Sequence, residues 1–421
     1  MENTAEKVSM LPPGAPKSIS FKPSIALFVD LIGKSYAGKL RYNVMTGKPE
    51  LLEDGAWRNW TDADTSGLMM QFQDEYGGLY HMNMTKQALD VWFEDHKVNP
   101  LTDMIDAIEW DGKSRVDTFL RDTLKVKDSD YTRECSRLIF AGGIHRAYHP
   151  GCKVDVTVVL IGEQGCGKST IARYLAMDDM FHRVISTIEG KEGVEILKGV
   201  WIGEIAELMA MTKVKEIEKV KAFLTEQRDD YRPPYGKFVQ TFERRCVFIG
   251  TTNNEQFLTD KTGNRRFLPV KCWRTREEGA EIVAHEKEIR AHIAQCWAEA
   301  RERMKRGEFS PHPDRKIMKK IVEAQEAAME DDYRVGLIYE YLKAKRPGTC
   351  VCALELWREA LEHKEDRRDM SPLDQKEIRQ IVANMPDWER RGSQWVTGYG
   401  QQRVWVKREP DKVEEIFQGV K

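Results

Sequence analysis

Residues 162–170 read Gly162-Glu163-Gln164-Gly165-Cys166-Gly167-Lys168-Ser169-Thr170, which fits the Walker A phosphate-loop pattern G-x-x-x-x-G-K-[ST]. A β-branched apolar run at 156–161 predicts a buried strand before the loop, and residues 171–176 predict a helix start after it. The motif requires this order of strand, glycine-rich turn and helix. The stretch therefore predicts a nucleotide phosphate site, against the alternative of a chance glycine-rich turn.

All nine loop residues are candidates for contact with ATP. Glycines let backbone N–H groups curl around phosphate oxygens, and the N-terminus of the following helix adds partial positive charge. We expect Lys168 to reach the β- and γ-phosphates and Ser169 to place its hydroxyl on Mg²⁺. ATP and Mg²⁺ are thus the expected nucleotide and cofactor.

Composition narrows the class of protein. The chain has 421 residues, which suggests roughly two to four domains. Its net charge is −2, so contact with nucleic acid has to come from a local basic patch. The eight cysteines contain no C-x-x-C pair and predict reduced thiols in a cytoplasmic protein. No apolar run is long enough to predict a membrane span, and the N-terminus lacks the apolar region of a secretory signal.

Periodicity and turn residues predict an α/β chain with six regions. These are a flexible tail at 1–24, a small α+β domain at 25–100, a helical collar at 101–150, a P-loop ATPase core at 151–275, a helical lid or linker at 276–345 and a winged-helix-like domain at 346–421. In the last region, helices at 351–361 and 374–384 precede strands at 388–396 and 402–407. The candidates for DNA contact there are Arg390, Arg391, Gln401, Gln402 and Arg403, with docking on protein partners as the alternative.

Two later strands carry polar residues that suit ATP hydrolysis. The predicted strand at 200–206 contains Glu204 and is followed by Glu207. Either glutamate fits the acidic position that holds Mg²⁺ or orients the attacking water. Glu207 is favoured because it follows the strand, and an ordinary surface glutamate is the alternative for each. The strand predicted at 246–253 ends in Asn253, which suits sensing of the γ-phosphate.

An arginine pair follows this second strand. Arg265 and Arg266 precede an apolar run at 267–270 and suit an arginine finger offered to ATP on the next subunit. The order of phosphate loop, acidic strand, asparagine and arginine pair is typical of an oligomeric ATPase of the AAA+ type.

A rigid loop between the acidic strand and the asparagine strand is a candidate DNA contact. Tyr231, Arg232, Tyr235 and Lys237 surround two prolines and a glycine at the tip of a predicted hairpin. Cations suit phosphates and rings suit bases. A structural turn whose tyrosines pack on the core is the alternative.

Several of these stretches resemble the virulence-associated protein E family. They are residues 110–115, 201–208, 231–236, 248–253 and 263–267, so the resemblance covers about residues 60–275. The family comprises replication ATPases of phages, prophages and satellite islands, similar to superfamily 3 helicases. The resemblance implies a ring, expected to be hexameric, with ATP between neighbouring subunits and single-stranded DNA in the channel. It also implies that Lys221 faces the nucleotide or the channel DNA.

The expected function is ATP-driven helicase action in the replication of a phage or mobile element, on single-stranded or forked DNA. Many relatives carry a primase–polymerase domain, but residues 1–110 show no matching set of carboxylates and histidine, so the chain is not expected to prime DNA itself. A primase or other replication proteins are candidate partners. One alternative is a DNA-dependent ATPase that loads, remodels or defends without unwinding. Another is a DNA-binding regulator that uses ATP as a switch.

Overall fold

A computed structural model describes residues 24–76, 82–206, 214–231, 239–258, 264–329, 333–363, 370–383 and 385–408. The chain divides after Met329 into two compact units, upstream of the boundary at 345–346 expected from the sequence. None of the helices in these ranges is both long enough and apolar enough to cross a bilayer.

The first unit starts with a small α+β region. Its elements are α1 (Ile25–Tyr36), β1 (Leu40–Asn43), β2 (Lys48–Glu53), β3 (Ala56–Asn59), α2 (Asp62–Tyr76), α3 (Met82–Asp95) and β4 (Lys97–Val98). The strands form a sheet in the order β3-β2-β1-β4. Phe28, Phe72 and Trp92 from the three helices are buried together against Leu40 of β1. All residues of this buried cluster come from the α+β region, which therefore has a hydrophobic core of its own.

A helical layer follows and leads into a parallel sheet. The helices are α4 (Pro100–Asp106), α5 (Phe119–Leu124) and α6 (Asp130–Tyr148). The next elements are β5 (Thr157–Ile161), α7 (Lys168–Leu175), β6 (His182–Val184), α8 (Gly190–Glu195), β7 (Ile202–Ala206), α9 (Val214–Thr225), β8 (Arg228–Tyr231), β9 (Gln240–Glu243), β10 (Val247–Thr252) and β11 (Phe267–Lys271).

Five of these strands form one sheet, in the order β11-β5-β10-β7-β6, and every neighbouring pair is parallel. All residues of β5 and β10 are buried, which explains their continuous apolar runs, since a central parallel strand is covered on both faces. Parallel strands end at the same edge, so the segments after β5, β7 and β10 are brought together.

Three helices complete the first unit: α10 (Arg276–Ala284), α11 (Glu286–Lys305) and α12 (Met318–Ala327). Residues 276–305 do not form one continuous helix within the helical lid or linker expected at 276–345. His285 leaves helical geometry with ψ at 33° and ends α10, while its ring nitrogen Nδ1 lies 2.9 Å from the carbonyl oxygen of Glu281. The chain then starts again as α11 at Glu286.

The second unit contains helices and one antiparallel sheet. Its elements are α13 (Tyr333–Lys343), β12 (Cys350–Cys352), α14 (Ala353–Glu355) with a π-helical turn (Leu356–Ala360), α15 (Pro372–Ala383), β13 (Trp388–Val396) and β14 (Gly400–Lys407). The sheet order is β12-β14-β13. The prediction of helix from residue 351 is wrong at its start, because Val351 and Cys352 pair with Trp405 and Val404 of β14.

A tryptophan pair joins the helical layer to the parallel sheet. The rings of Trp201 and Trp297 lie 4.2 Å apart and both side chains are completely buried. The Trp201 indole donates to the carbonyl of Gly143 in α6 over 3.0 Å, and the Trp297 indole donates to that of Leu175 in α7 over 2.9 Å. A Cβ at Gly143 would lie 2.4 Å from the Trp297 ring, so only glycine lets α6 and α11 approach this closely.

We expect Gly143→Ala to destabilise the first unit by about 3 kcal/mol, because the added methyl group overlaps a ring that cannot move within a packed core. Gly67→Ala is the matched control, since Gly67 also lies in a helix but has no atom within 4 Å of its Cβ position. That control should stabilise the protein by about 0.5 to 1 kcal/mol. Denaturant unfolding measures both changes, and equal effects of the two substitutions would refute the close approach.

Candidate active site

The phosphate loop joins β5 to α7, as its sequence predicted. Gly165 and Gly167 have φ of 87° and 97°, in the left-handed region that favours glycine. A Cβ at Gly167 would lie only 2.3 Å from the Cδ1 atom of Ile282. Conformation and close packing therefore both require glycine at residue 167, where the chain turns into the helix.

Lys168 folds back into this loop. The residue is only 7% exposed to solvent. The ammonium donates to the carbonyls of Gly162 and Glu163 over 2.7 and 2.8 Å, and to Oδ1 of Asn253 over 3.0 Å. The structure thus brings together the lysine and the asparagine, which the sequence placed on two separate strand-and-loop segments.

Glu204 is the acidic residue that reaches the loop. It lies in the middle of β7, not at its end, and is 1% exposed. Its Oε1 accepts hydrogen bonds from the hydroxyls of Ser169 over 2.6 Å and Thr251 over 2.8 Å. One carboxylate oxygen therefore links the start of α7 to two strands of the sheet.

The other oxygen of Glu204 accepts no hydrogen bond from the part of the chain that the structure describes. It lies 3.5 Å from Nε2 of His182, at the outer limit of hydrogen bonding. Burial raises the pKa of the Glu204 carboxyl, but the bonds that it accepts and the nearby His182 ring outweigh burial and hold that pKa below its ordinary value. The group is consequently a carboxylate at neutral pH, with one oxygen available to a ligand.

Thr251 and His182 were not identified from the sequence. Thr251 stands two residues before Asn253, so the alternation of a strand puts both on one face and was a usable signal. His182 begins β6, and no local pattern connects it with Glu204. Glu207, the residue favoured by the sequence for orienting water, lies outside the described residues.

The arginine pair lies at the opposite edge of the sheet. Arg265 and Arg266 form a 3-10 turn immediately before β11, and Phe267 pairs with Thr157 at the first residue of β5. The length of β5, about 16 Å, separates this edge from the phosphate loop of the same chain. Neither guanidinium is hydrogen-bonded or ion-paired to any residue in the described ranges, and Arg265 is exposed while Arg266 is partly buried.

The predicted hairpin is confirmed, since β8 and β9 pair from Arg228 with Glu243 to Tyr231 with Gln240. The loop candidates Arg232, Tyr235 and Lys237, and the side chain of Tyr231, lie outside the part of the structure that is described. Lys221 in α9 is 1% exposed. This burial does not support the expected contact of Lys221 with DNA.

Two buried arginines that the sequence did not single out hold the base of this hairpin. Arg244 is 5% exposed and forms two bonds of 2.6 and 2.7 Å with the carboxylate of Asp229 on the facing strand. Arg146 of α6 donates to the carbonyls of Arg244 and Glu226, each over 3.1 Å. The hairpin is therefore anchored to the helical layer behind the sheet.

Arg244→Ala should lower the free energy of unfolding by about 3 to 5 kcal/mol, because it leaves the Asp229 carboxylate buried and unpaired. Arg228→Ala is the matched control on the same hairpin, because Arg228 is exposed, and its effect should be below about 0.5 kcal/mol. Chemical denaturation followed by circular dichroism makes the comparison. An Arg244 variant as stable as the control would show that the pair does not hold the hairpin.

The comparisons with known proteins bear mainly on the family. Two solved structures of the apo NrS-1 C-terminal region are similar. The match to the first covers 92% of this chain and 100% of the solved one, with 12% sequence identity and a TM-score of 0.48. The match to the second covers 90% of this chain and 99% of the solved one, with 13% identity and a TM-score of 0.47. No curated protein matches. The virulence-associated protein E-like domain matches residues 105–330, more than half of the chain. The chain therefore belongs to the virulence-associated protein E-like family.

Proposed function

We propose that this protein is an ATP-driven DNA helicase of a phage or mobile genetic element, built on an AAA+ type P-loop ATPase core. The observation that carries the proposal is the convergence of Lys168, Asn253 and the Ser169–Glu204 pair at the carboxyl edge of one parallel sheet. Cation, amide, hydroxyl and carboxylate are the groups that phosphoryl transfer to water uses. Glycine-rich backbone and a helix N-terminus complete a phosphate site.

The residues present fit Mg²⁺ and ATP. Ser169 and the free oxygen of Glu204 would hold the ion directly or through water, and the ion neutralises charge on the phosphates. Lys168 exchanges its bonds to loop carbonyls for bonds to phosphate oxygens. Asn253 is then released to contact the γ-phosphate or the attacking water, which Glu207 is proposed to orient.

The position of the arginine pair supports a site shared between subunits. Arg265 and Arg266 are a strand length away from their own loop, so they cannot reach a nucleotide bound there. They are instead proposed to reach ATP held by the next copy of the chain, in a ring that is expected to be hexameric. The hairpin loop at 232–238 is proposed to line its channel and to pull a DNA strand.

The second unit supports contact with DNA. Its order of helix, strand, two helices and two strands is typical of a winged helix. Arg390, Arg391 and Arg403 are exposed on the β13–β14 hairpin, and Trp395 between them is 79% exposed. Cations and an exposed ring suit the backbone and bases of forked or single-stranded DNA. A separately encoded primase is the proposed replication partner.

Lys168→Ala should abolish ATP hydrolysis and the unwinding of forked DNA, because it removes the cation that contacts the terminal phosphates. Lys287→Ala, which removes an exposed lysine from α11, should leave both rates within about twofold. Phosphate release and strand displacement are measured on the same preparations. Hydrolysis without displacement by the wild type would contradict helicase action and support a loader or remodeller.

A mixing experiment tests the shared site. Lys168→Ala keeps the arginines and lacks a working loop, whereas the double variant Arg265→Ala/Arg266→Ala keeps the loop and lacks the arginines. Neither should hydrolyse ATP alone, but an equal mixture that exchanges subunits should recover activity at about one quarter of its sites. Normal hydrolysis by the double variant, or no recovery in a mixture shown to exchange subunits, would contradict the shared site.

A further inference from the structure

The turn that carries Arg265 and Arg266 is held in place by helix α12. Gln325 of α12 is only 7% exposed, and its side-chain nitrogen donates to the carbonyl oxygens of Asn264 over 2.9 Å and Phe267 over 2.8 Å. A side-chain amide has two N–H groups to donate, so both donors of this one are used. Because Asn264 and Phe267 lie directly before and after the arginine pair, one side chain fixes both ends of the turn.

The residues that follow α12 hold the chain around this turn as well. The side-chain amide of Asn264 donates to the sulfur of Met329. Leu258 donates its backbone N–H to the carbonyl of Ala328 over 3.0 Å, and both side chains belong to one buried cluster with Phe267. The backbone on both sides of the arginine pair is therefore tied to this end of the helix.

The arginine side chains, in contrast, make no bond that would fix their direction within the described ranges. They stand on a 3-10 turn of only three residues, which has few internal hydrogen bonds of its own. An arginine finger stabilises charge on a transferring phosphoryl group, and a misplacement of about 1 Å can slow catalysis by about a hundredfold. The direction of both guanidinium groups therefore depends on how firmly the turn itself is held.

We infer that Gln325 is a positioning residue for ATP hydrolysis on the neighbouring subunit. It lies beside the arginine turn, a strand length from the phosphate loop of its own chain, and acts by fixing the backbone from which Arg265 and Arg266 project. This role rests on the proposed function, since it assumes that the arginines complete a site on the next copy of the chain. A change in α12 should consequently impair hydrolysis on a different chain from the one that carries it.

Gln325→Met tests this role, because methionine is similar in length and suits a buried site but donates no hydrogen bond. ATP turnover by the full chain should fall by about tenfold to a hundredfold, while the affinity for a non-hydrolysable ATP analogue with Mg²⁺ stays within about threefold. Phosphate release measures the first and titration calorimetry the second. Glu326→Gln, at an exposed position of the same helix, is the matched control and should change neither.

Mixing variants shows on which chain the defect acts. Gln325→Met keeps a working loop but lacks correctly placed arginines, so a mixture with Lys168→Ala that exchanges subunits should recover hydrolysis at about one quarter of its sites. A mixture with Arg265→Ala/Arg266→Ala should recover none, since neither chain then offers arginines in the correct position. Damage to the phosphate loop of the variant itself would give the reverse pattern.

If Gln325→Met melts well below the wild type, Gln325→Asn takes its place, because its amide is one methylene too short to reach both carbonyls. Wild-type turnover in the folded variant would overturn the inference. Recovery with Arg265→Ala/Arg266→Ala instead of with Lys168→Ala would overturn it as well. Normal hydrolysis by the double arginine variant alone would contradict the shared site itself, on which the inference rests.

Discussion

The pairing of β10 between β5 and β7 is the constraint on which the candidate site depends. Ile249 is opposite Val158 on one side and Glu204 on the other, so a single strand aligns the other two. Backbone ladders fix this alignment to within one residue, because a shift would turn every side chain to the opposite face. This pairing places the hydroxyl of Thr251 next to Glu204 and the amide of Asn253 next to Lys168.

The helical layer keeps this sheet from sliding. Trp297 of α11 contacts Trp201, the residue just before β7, and donates to the last residue of α7. Both tryptophans satisfy their N–H groups inside the core, as buried indoles must. The helix that begins at the phosphate loop and the strand that carries Glu204 are consequently held by the same pair of rings. Motion of one relative to the other would require that pair to separate.

How far the sequence predicts the structure depends on how local each signal is. The phosphate loop and the strand that ends before Asn253 are predictable, because a motif or an apolar run indicates the local backbone structure of the residues that form it. The bond between Glu204 and Thr251 joins residues far apart in sequence, and only the order of strands in the sheet creates it. The order itself has no local signal, which is why the sequence favoured Glu207 from its position after the strand and did not predict the bonds that Glu204 accepts.

Other features went unpredicted for the same reason. Val351 and Cys352 form a strand because β14 is beside them, although the same residues also fit the start of a helix. Lys221 carries a charge that suggests exposure, yet tertiary packing of α9 buries it. Arg244 and Arg146 resemble surface arginines in the sequence, and their roles follow only from the carbonyls and carboxylate that the fold brings to them.

The arginine pair and the phosphate loop occupy opposite edges of one sheet. Each subunit therefore has one end that carries the arginines and one end that carries the phosphate loop. A two-fold dimer would have to bury the loop and the arginines of each copy in one shared surface, whereas head-to-tail joining uses the two ends separately. In a head-to-tail arrangement, an open row always ends in one loop without arginines and one arginine pair without a loop. Only closure removes these two ends. If the site is shared as proposed, a closed ring has one complete site for every subunit, whereas an open row has one fewer. The rate of ATP hydrolysis per subunit therefore depends on whether the assembly is closed.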